Sequence, residues 1–192
     1  MRKLVRPDSP RCLSINAAQW TEVYLARRRE MPAARFTWRG SKCYASMRDD
    51  LFRMTRDHCA FCDGPVNLES RATVEHFRPK STFPELAYTW TNLFPCCDKC
   101  QQNKGEHFDD RLLKPDEDLY TFAKYFICNY RNGELEPAPE GGQLDRERVV
   151  ETIRIYDLNS PLRKAARRRE WEFFQRHDAP DIDDFHYRFF LE

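Results

Sequence analysis

No apolar run in this 192-residue sequence approaches the ~20 residues that a membrane-spanning helix requires. The opening MRKLVRPDSP is basic but lacks the apolar stretch of a secretory signal. These two absences predict residence in the cytoplasm. There is also no internal repeat, no low-complexity tract and no Gly-Ser linker, so one compact domain is expected, or a small core wrapped by extra elements. Net charge is nearly absent as well: 32 Lys+Arg against 31 Asp+Glu leave +1. The balance is local, however. Residues 1–58 hold 13 basic against 6 acidic side chains, and residues 108–160 hold 7 against 12. A second basic cluster, Arg163, Lys164, Arg167, Arg168, Arg169 and Arg176, follows.

Eight cysteines stand out against that background. In a reducing compartment thiols at short spacing are metal ligands more often than disulfides. Cys59 and Cys62 form one Cys-x2-Cys pair and Cys97 and Cys100 a second; Cys96 is excluded because only Cys97 has the two-residue spacing to Cys100. Four thiolates on two tight turns satisfy tetrahedral Zn2+ and leave no open position, which predicts a structural zinc site. Cys12, Cys43 and Cys128 have no sequence partner and read as small buried apolar residues.

Hydrophobic periodicity places helices from a Ser14 cap to about Arg29 and from Ser41 to about Asp57, the latter on Tyr44, Met47, Leu51 and Met54. Between the cysteine pairs, ATVEH and AYTWTNLF read as strands, and a helix starts near Asp98. YFICNYRNGELEP reads as a hairpin turning at Asn132-Gly133. Asp145 is the expected cap of the next helix, and Ser160-Pro161 opens the last, through Arg176. The run RKAARRR reads as a solvated helix face. His58, His107, His177 and His186 read as surface or packing residues, and Phe173, Phe174, Phe185, Phe189 and Phe190 as packing aromatics.

The segment TVEHFRPKS sets a carboxylate beside an imidazole, Glu75 and His76, with Arg78 and Lys80 following. Adjacent residues at a strand end point apart, so one group can meet a metal and the other a water. Phosphodiester hydrolysis needs such a base, a divalent cation and basic residues on the backbone.

Taken together, CAFC, TVEHFRPKS, WTNLFPCC and CDKCQQNKGEHF resemble the HNH endonuclease family, whose ββα-metal core is often braced by two Cys-x2-Cys knuckles. The resemblance implies an α+β fold, with a zinc-braced ββα-metal core at 59–108, a helical extension at 1–58, and a hairpin plus helices at 109–192 packed on it. It implies His76 as general base, Glu75 as metal ligand and Asn92 as the residue that orders the loop and orients the base. Arg78, Lys80 and Lys104 would contact phosphate. The family's metal-binding Asn directly after the last Cys is Gln101 here, with Asn103 as the alternative ligand of Mg2+ or Mn2+. At about 100° per helical residue, Gln101 shares a face with Lys104 and not with Asn103.

A closer resemblance takes in TIRIYDLNSPLRKAARR, outside the generic core, and is to the PtuB-like HNH subunits of Septu-type anti-phage systems, also found with retrons. It implies a nucleic-acid substrate, with DNA favoured and RNA such as tRNA as the other choice. It further implies a PtuA-like ATPase partner of the SMC or ABC type and, in retron versions, a reverse transcriptase with its DNA product. The rival expectation is a zinc-braced nucleic-acid binder or adaptor without catalysis.

Overall fold

The computed structural model describes residues 1–66, 71–178 and 180–192. Two helices come first, α1 (Arg11–Glu30) and α2 (Ser41–Thr55), and they form a separate buried cluster with β1 (Ala72–His76) through Leu13, Tyr24, Met47, Leu51 and Val74. β1 pairs antiparallel with β2 (Leu93–Cys97), which runs straight into α3 (Asp98–Lys104). That is the ββα order. After a long turn-rich loop, the short α4 (Phe122–Tyr125) leads into the hairpin of β3 (Phe126–Asn129) and β4 (Glu134–Pro137), then α5 (Gln143–Tyr156) and α6 (Pro161–Phe174). The larger core cluster joins the cysteines to Phe52, Phe61, Tyr120, Phe126, Tyr156 and Phe190, drawing residues from both ends of the chain. No helix among the described residues is long and apolar enough to cross a membrane.

Several expected boundaries shift, each for a physical reason. α1 begins at Arg11 after Pro10; Ser14 lies inside its first turn, where its hydroxyl donates to the Arg11 carbonyl at 3.0 Å. The second strand is Leu93–Cys97, not AYTWTNLF: all five residues are buried, so no alternation marks it, while Trp90–Asn92 form a 3-10 turn. Gly142, not Asp145, caps α5, leaving Asp145 in the first turn. Ser160 and Pro161 do open α6.

Two further expectations are corrected. Cys12 and Cys43 are bonded to each other, with Cα atoms 5.7 Å apart, because α1 and α2 pack side by side. The basic run on α6 is not wholly solvated. Arg163 and Arg167 are buried, and Arg167 bridges the Gly133 and Leu158 carbonyls and the Asn159 side chain. Gly133 sits at φ +77°, and a Cβ there would lie 2.1 Å from the Lys164 carbonyl oxygen, so the hairpin turn can approach α6 only as glycine. His58 is buried as well, with Nε2 against the Phe185 carbonyl and His186 Nδ1.

Candidate active site and metal centre

Both cysteine knuckles converge on one point. The Sγ atoms of Cys59, Cys62, Cys97 and Cys100 all lie within 4.8 Å of one another, and all four residues are buried. Among the described residues this is the one cluster of three or more His, Cys, Asp or Glu able to hold a metal. The first knuckle is shaped by the Cys59 amide on the Gly64 carbonyl and by Asp63, which takes a positive φ of 53°. Arg188, from the C-terminal tail, clamps the Asp63 carboxylate with its guanidinium and its backbone amide. In the second knuckle the Cys97 sulfur accepts the Cys100 amide, capping α3. Cys96 stands 4.0 Å from Cys59 Sγ, outside the cluster of four.

Arg163 sits against this cluster, with Nη2 at 3.0 Å from Cys100 Sγ and 4.0 Å from Cys97 Sγ. A cation there would compensate the charge of metal-bound thiolates. Burial pushes the Cys59 and Cys100 thiols up, while hydrogen bonds from the neighbouring thiols pull Cys97 down. Four buried sulfurs at tetrahedral-site spacing with a guanidinium beside them fit a bound metal ion far better than four free thiols.

The catalytic candidates stand at the open end of β1. His76 is 4% exposed, and its Nε2 meets the Ala87 carbonyl oxygen at 2.9 Å. A carbonyl only accepts, so Nε2 carries the proton and Nδ1 is left with the lone pair. Burial first, then the charges of Lys80 and Lys104, bring the His76 pKa down to about 3. The ring is therefore neutral at neutral pH.

Asn92 clamps the loop that carries that carbonyl. Its Oδ1 accepts the Arg78 amide at 2.8 Å, and its Nδ2 donates to the carbonyls of Arg78 and Leu86. It acts on His76 through the backbone, by fixing Leu86 and hence its neighbour Ala87.

Glu75 and Lys104 form a buried ion pair at 2.7 Å, and the Lys104 ammonium also donates to the His76 carbonyl. Lys104, expected on phosphate, is fully buried; the short α3 points it inward at Glu75. Burial raises the Glu75 pKa and Lys104 opposes the shift. Gln101 donates its amide nitrogen to the Val74 carbonyl at 3.3 Å and lies near enough to Glu75 to oppose the rise of its pKa, so a ligand role requires the amide oxygen in that place instead. Asn103 points the other way, to the Tyr156 carbonyl. Glu75 and Gln101 are thus together and Asn103 is apart.

A groove of about 460 Å³ is lined by His76, Lys80, Thr73, Gln101, Phe36 and Trp38, among others. Arg78 is not in it: its guanidinium stacks on Phe83 and Phe108 and pairs with Asp110, beside a different hollow. Phe36 and Trp38, which cover His76, were not marked by the sequence, because aromatics on a loop carry no periodicity that ties them to a base forty residues away.

Replacing Lys104 alone leaves an unpaired carboxylate in a buried site. Lys104→Met is expected to cost about 3–5 kcal/mol in urea unfolding, and the double variant Lys104→Met/Glu75→Gln to recover much of it. Equal losses in the single and double variants would show that the pair is not coupled.

Residues 59–117 match the HNH endonuclease family. They form an HNH domain. Its bounds start at the first knuckle and run past Lys104 into the loop that holds Arg78. The chain is 34% identical over 108 residues to the Septu protein PtuB of Bacillus thuringiensis, a stretch covering 56% of this chain and 38% of that protein. It is 29% identical over 76 residues to the Septu protein PtuB of Bacillus mycoides (strain KBAB4), covering 33% and 26% respectively. The aligned segments thus span well under half of these relatives. Over these aligned stretches the chain is PtuB-like.

Proposed function

We propose that this chain is a metal-dependent HNH endonuclease that hydrolyses nucleic-acid phosphodiester bonds as the effector of a cytoplasmic anti-phage complex with an ATPase. The observation that carries the reading is the tautomer of His76: with Nε2–H committed to the Ala87 carbonyl, Nδ1 is a neutral base on a groove shared with Lys80 and Gln101. Asn92 holds that geometry through the Leu86–Ala87 backbone. Nδ1 takes a proton from water, and Lys80 draws the phosphate toward it. Zn2+ is the ion proposed for the four cysteines, where it braces the fold and takes no part in the reaction.

For a catalytic Mg2+ or Mn2+ the donors at hand are one Glu75 carboxylate oxygen not held by Lys104 and the Gln101 amide. Two hard oxygens suit an ion that keeps several waters and is delivered with the phosphate. Such an ion, when bound, offsets charge on the phosphate and the leaving oxygen. Gln101→Ala is expected to raise the Mg2+ requirement sharply, while Asn103→Ala, which loses only a contact to Tyr156, changes it little. The measurement is cleavage rate against Mg2+ concentration, and the reverse ranking would transfer the ligand role to Asn103.

The closed Glu75–Lys104 pair and the buried His76 favour a second reading, a nucleic-acid-binding subunit without catalysis. A nuclease assay with and without a co-expressed ATPase separates the two. We expect weak cleavage by the chain alone and stimulation in the complex, on DNA before structured RNA. No cleavage of either polymer, in the presence of Mg2+ or Mn2+ and the ATPase, would leave the binding reading standing.

A further inference from the structure

Rings from the segment before β1 pack over His76 at the border of the core cluster and the groove. Trp38 lies nearly parallel to the His76 ring, at 5.5 Å and 18°, and among its further ring neighbours Tyr44 is at 4.9 Å and 32°. Phe36 meets His76 at 82° and Trp38 at 85°, edge to face. Trp38 and Tyr44 are half-buried and both line the groove. They belong to the segment before the stretch that matches the HNH endonuclease family, and Trp38 packs against it through His76 and Tyr88.

Resting on the nuclease reading, we propose that Trp38 and Tyr44 form a stacking shelf for an unpaired nucleobase, so that the groove takes a single-stranded or locally opened strand. A base continuing this stack brings its own phosphate toward His76 and Lys80. Lys80 is well placed for that, with Nζ 5.6 Å from the Phe36 ring on the same groove. Aromatic faces combined with cations and side-chain amides are how proteins hold single strands with little sequence preference. A paired base inside a duplex has both faces covered by its neighbours and cannot use the shelf.

The shelf is also fixed in advance. Cys43, the neighbour of Tyr44, is bonded to Cys12 on α1. Gly40 caps α2 at φ +65°, so close to Trp20 that a Cβ would lie 3.3 Å from its ring. Rings held by the packing of α1 on α2 and by a tight turn lose little freedom when a base arrives, which favours binding.

The experiment is fluorescence anisotropy with the full chain, no divalent cation added, and labelled eight-nucleotide strands of dT and of rU. A hairpin duplex and strands with one abasic position serve as comparisons. Wild-type protein is expected to prefer the single strands over the duplex, and an abasic site at the stacked position to weaken binding roughly 5- to 100-fold. Trp38→Leu and Tyr44→Leu should bind intact and abasic strands alike, while Trp38→Phe retains the difference. This dependence on the ligand's own base is not moved by mere loss of packing around His76. Preference for dT over rU, or the reverse, would assign the polymer. The shelf is overturned if abasic and intact strands bind wild type equally, or if the duplex binds better than either strand. Metal-dependent duplex cleavage that survives Trp38→Leu would overturn it too, and leave the nuclease reading intact.

Discussion

His76→Ala is expected to lower cleavage by about 10²- to 10⁴-fold while the protein remains folded. The imidazole is the one histidine at the open end of β1, and its tautomer is set by the Ala87 carbonyl. No other histidine can replace it. His107 is exposed, His177 is bound to the Phe173 carbonyl at 2.9 Å, and His58 and His186 are engaged with each other at 3.1 Å. Alanine therefore removes the proton acceptor, and the contact with Trp38 along with it.

The same group sets a pH signature. With a pKa brought down to about 3 by burial and two ammonium groups, His76 is already unprotonated at pH 5. Cleavage should not fall through the window near 6.5 where a free imidazole titrates. Stability behaves in the opposite sense. Because the folded state binds the proton more weakly than the unfolded chain, the stabilising contribution is full above about 6.5 and is lost as pH falls below it. The unfolding midpoint should thus drop between pH 7 and pH 5, and less steeply in His76→Phe. A rate that falls with an apparent pKa near 6.5 would mean that the ring is solvated and not held as described.

Much of this was legible in the order of the residues. The two Cys-x2-Cys spacings were enough to bring four sulfurs together, since tight knuckles leave a thiolate few directions to point. β1, α3, the hairpin and α6 carried local signals: a β-branched run, a cysteine-anchored helix start, Asn-Gly and Ser-Pro. β2 was misread because a strand buried on both faces does not alternate. Asn103 was separated from Gln101 by helical geometry alone, and the two do point to different partners.

What the sequence hides is pairing at a distance. Lys104 looked like a phosphate contact because its charge was read without its burial; its partner Glu75 is 29 residues away, on another element. Cys12 and Cys43, 31 residues apart, meet only because two helices pack. The basic run on α6 gave no hint that Arg163 and Arg167 turn inward, since a helix face is defined by what it packs against and not by its own composition. Arg163 reaches sulfur across 63 positions of sequence.

That last contact leads to the second large effect. Cys62→Ser or Cys100→Ser is expected to abolish metal retention and cooperative folding together. The cluster is the junction of the first knuckle, β2 and α3, and its sulfurs belong to the larger core cluster. In a closed four-thiolate site the binding energy of the ion is also folding energy, about 10–16 kcal/mol in small zinc domains, which exceeds the net stability of most domains. Arg163→Met should act in the same direction but less strongly, because it removes a charge-compensating hydrogen bond to Cys100 Sγ and leaves the four ligands in place. Cys96→Ser, which changes a sulfur outside the four, should keep the metal. Metal analysis of protein purified without added zinc, together with chelator-release rates and unfolding curves, gives the order: wild type and Cys96→Ser retain one zinc, Arg163→Met releases it faster, and the ligand variants hold none. One zinc per chain in Cys100→Ser with an unchanged unfolding curve would rule out the four-cysteine centre. Faster loss from Cys96→Ser than from Arg163→Met would move the fourth ligand to Cys96.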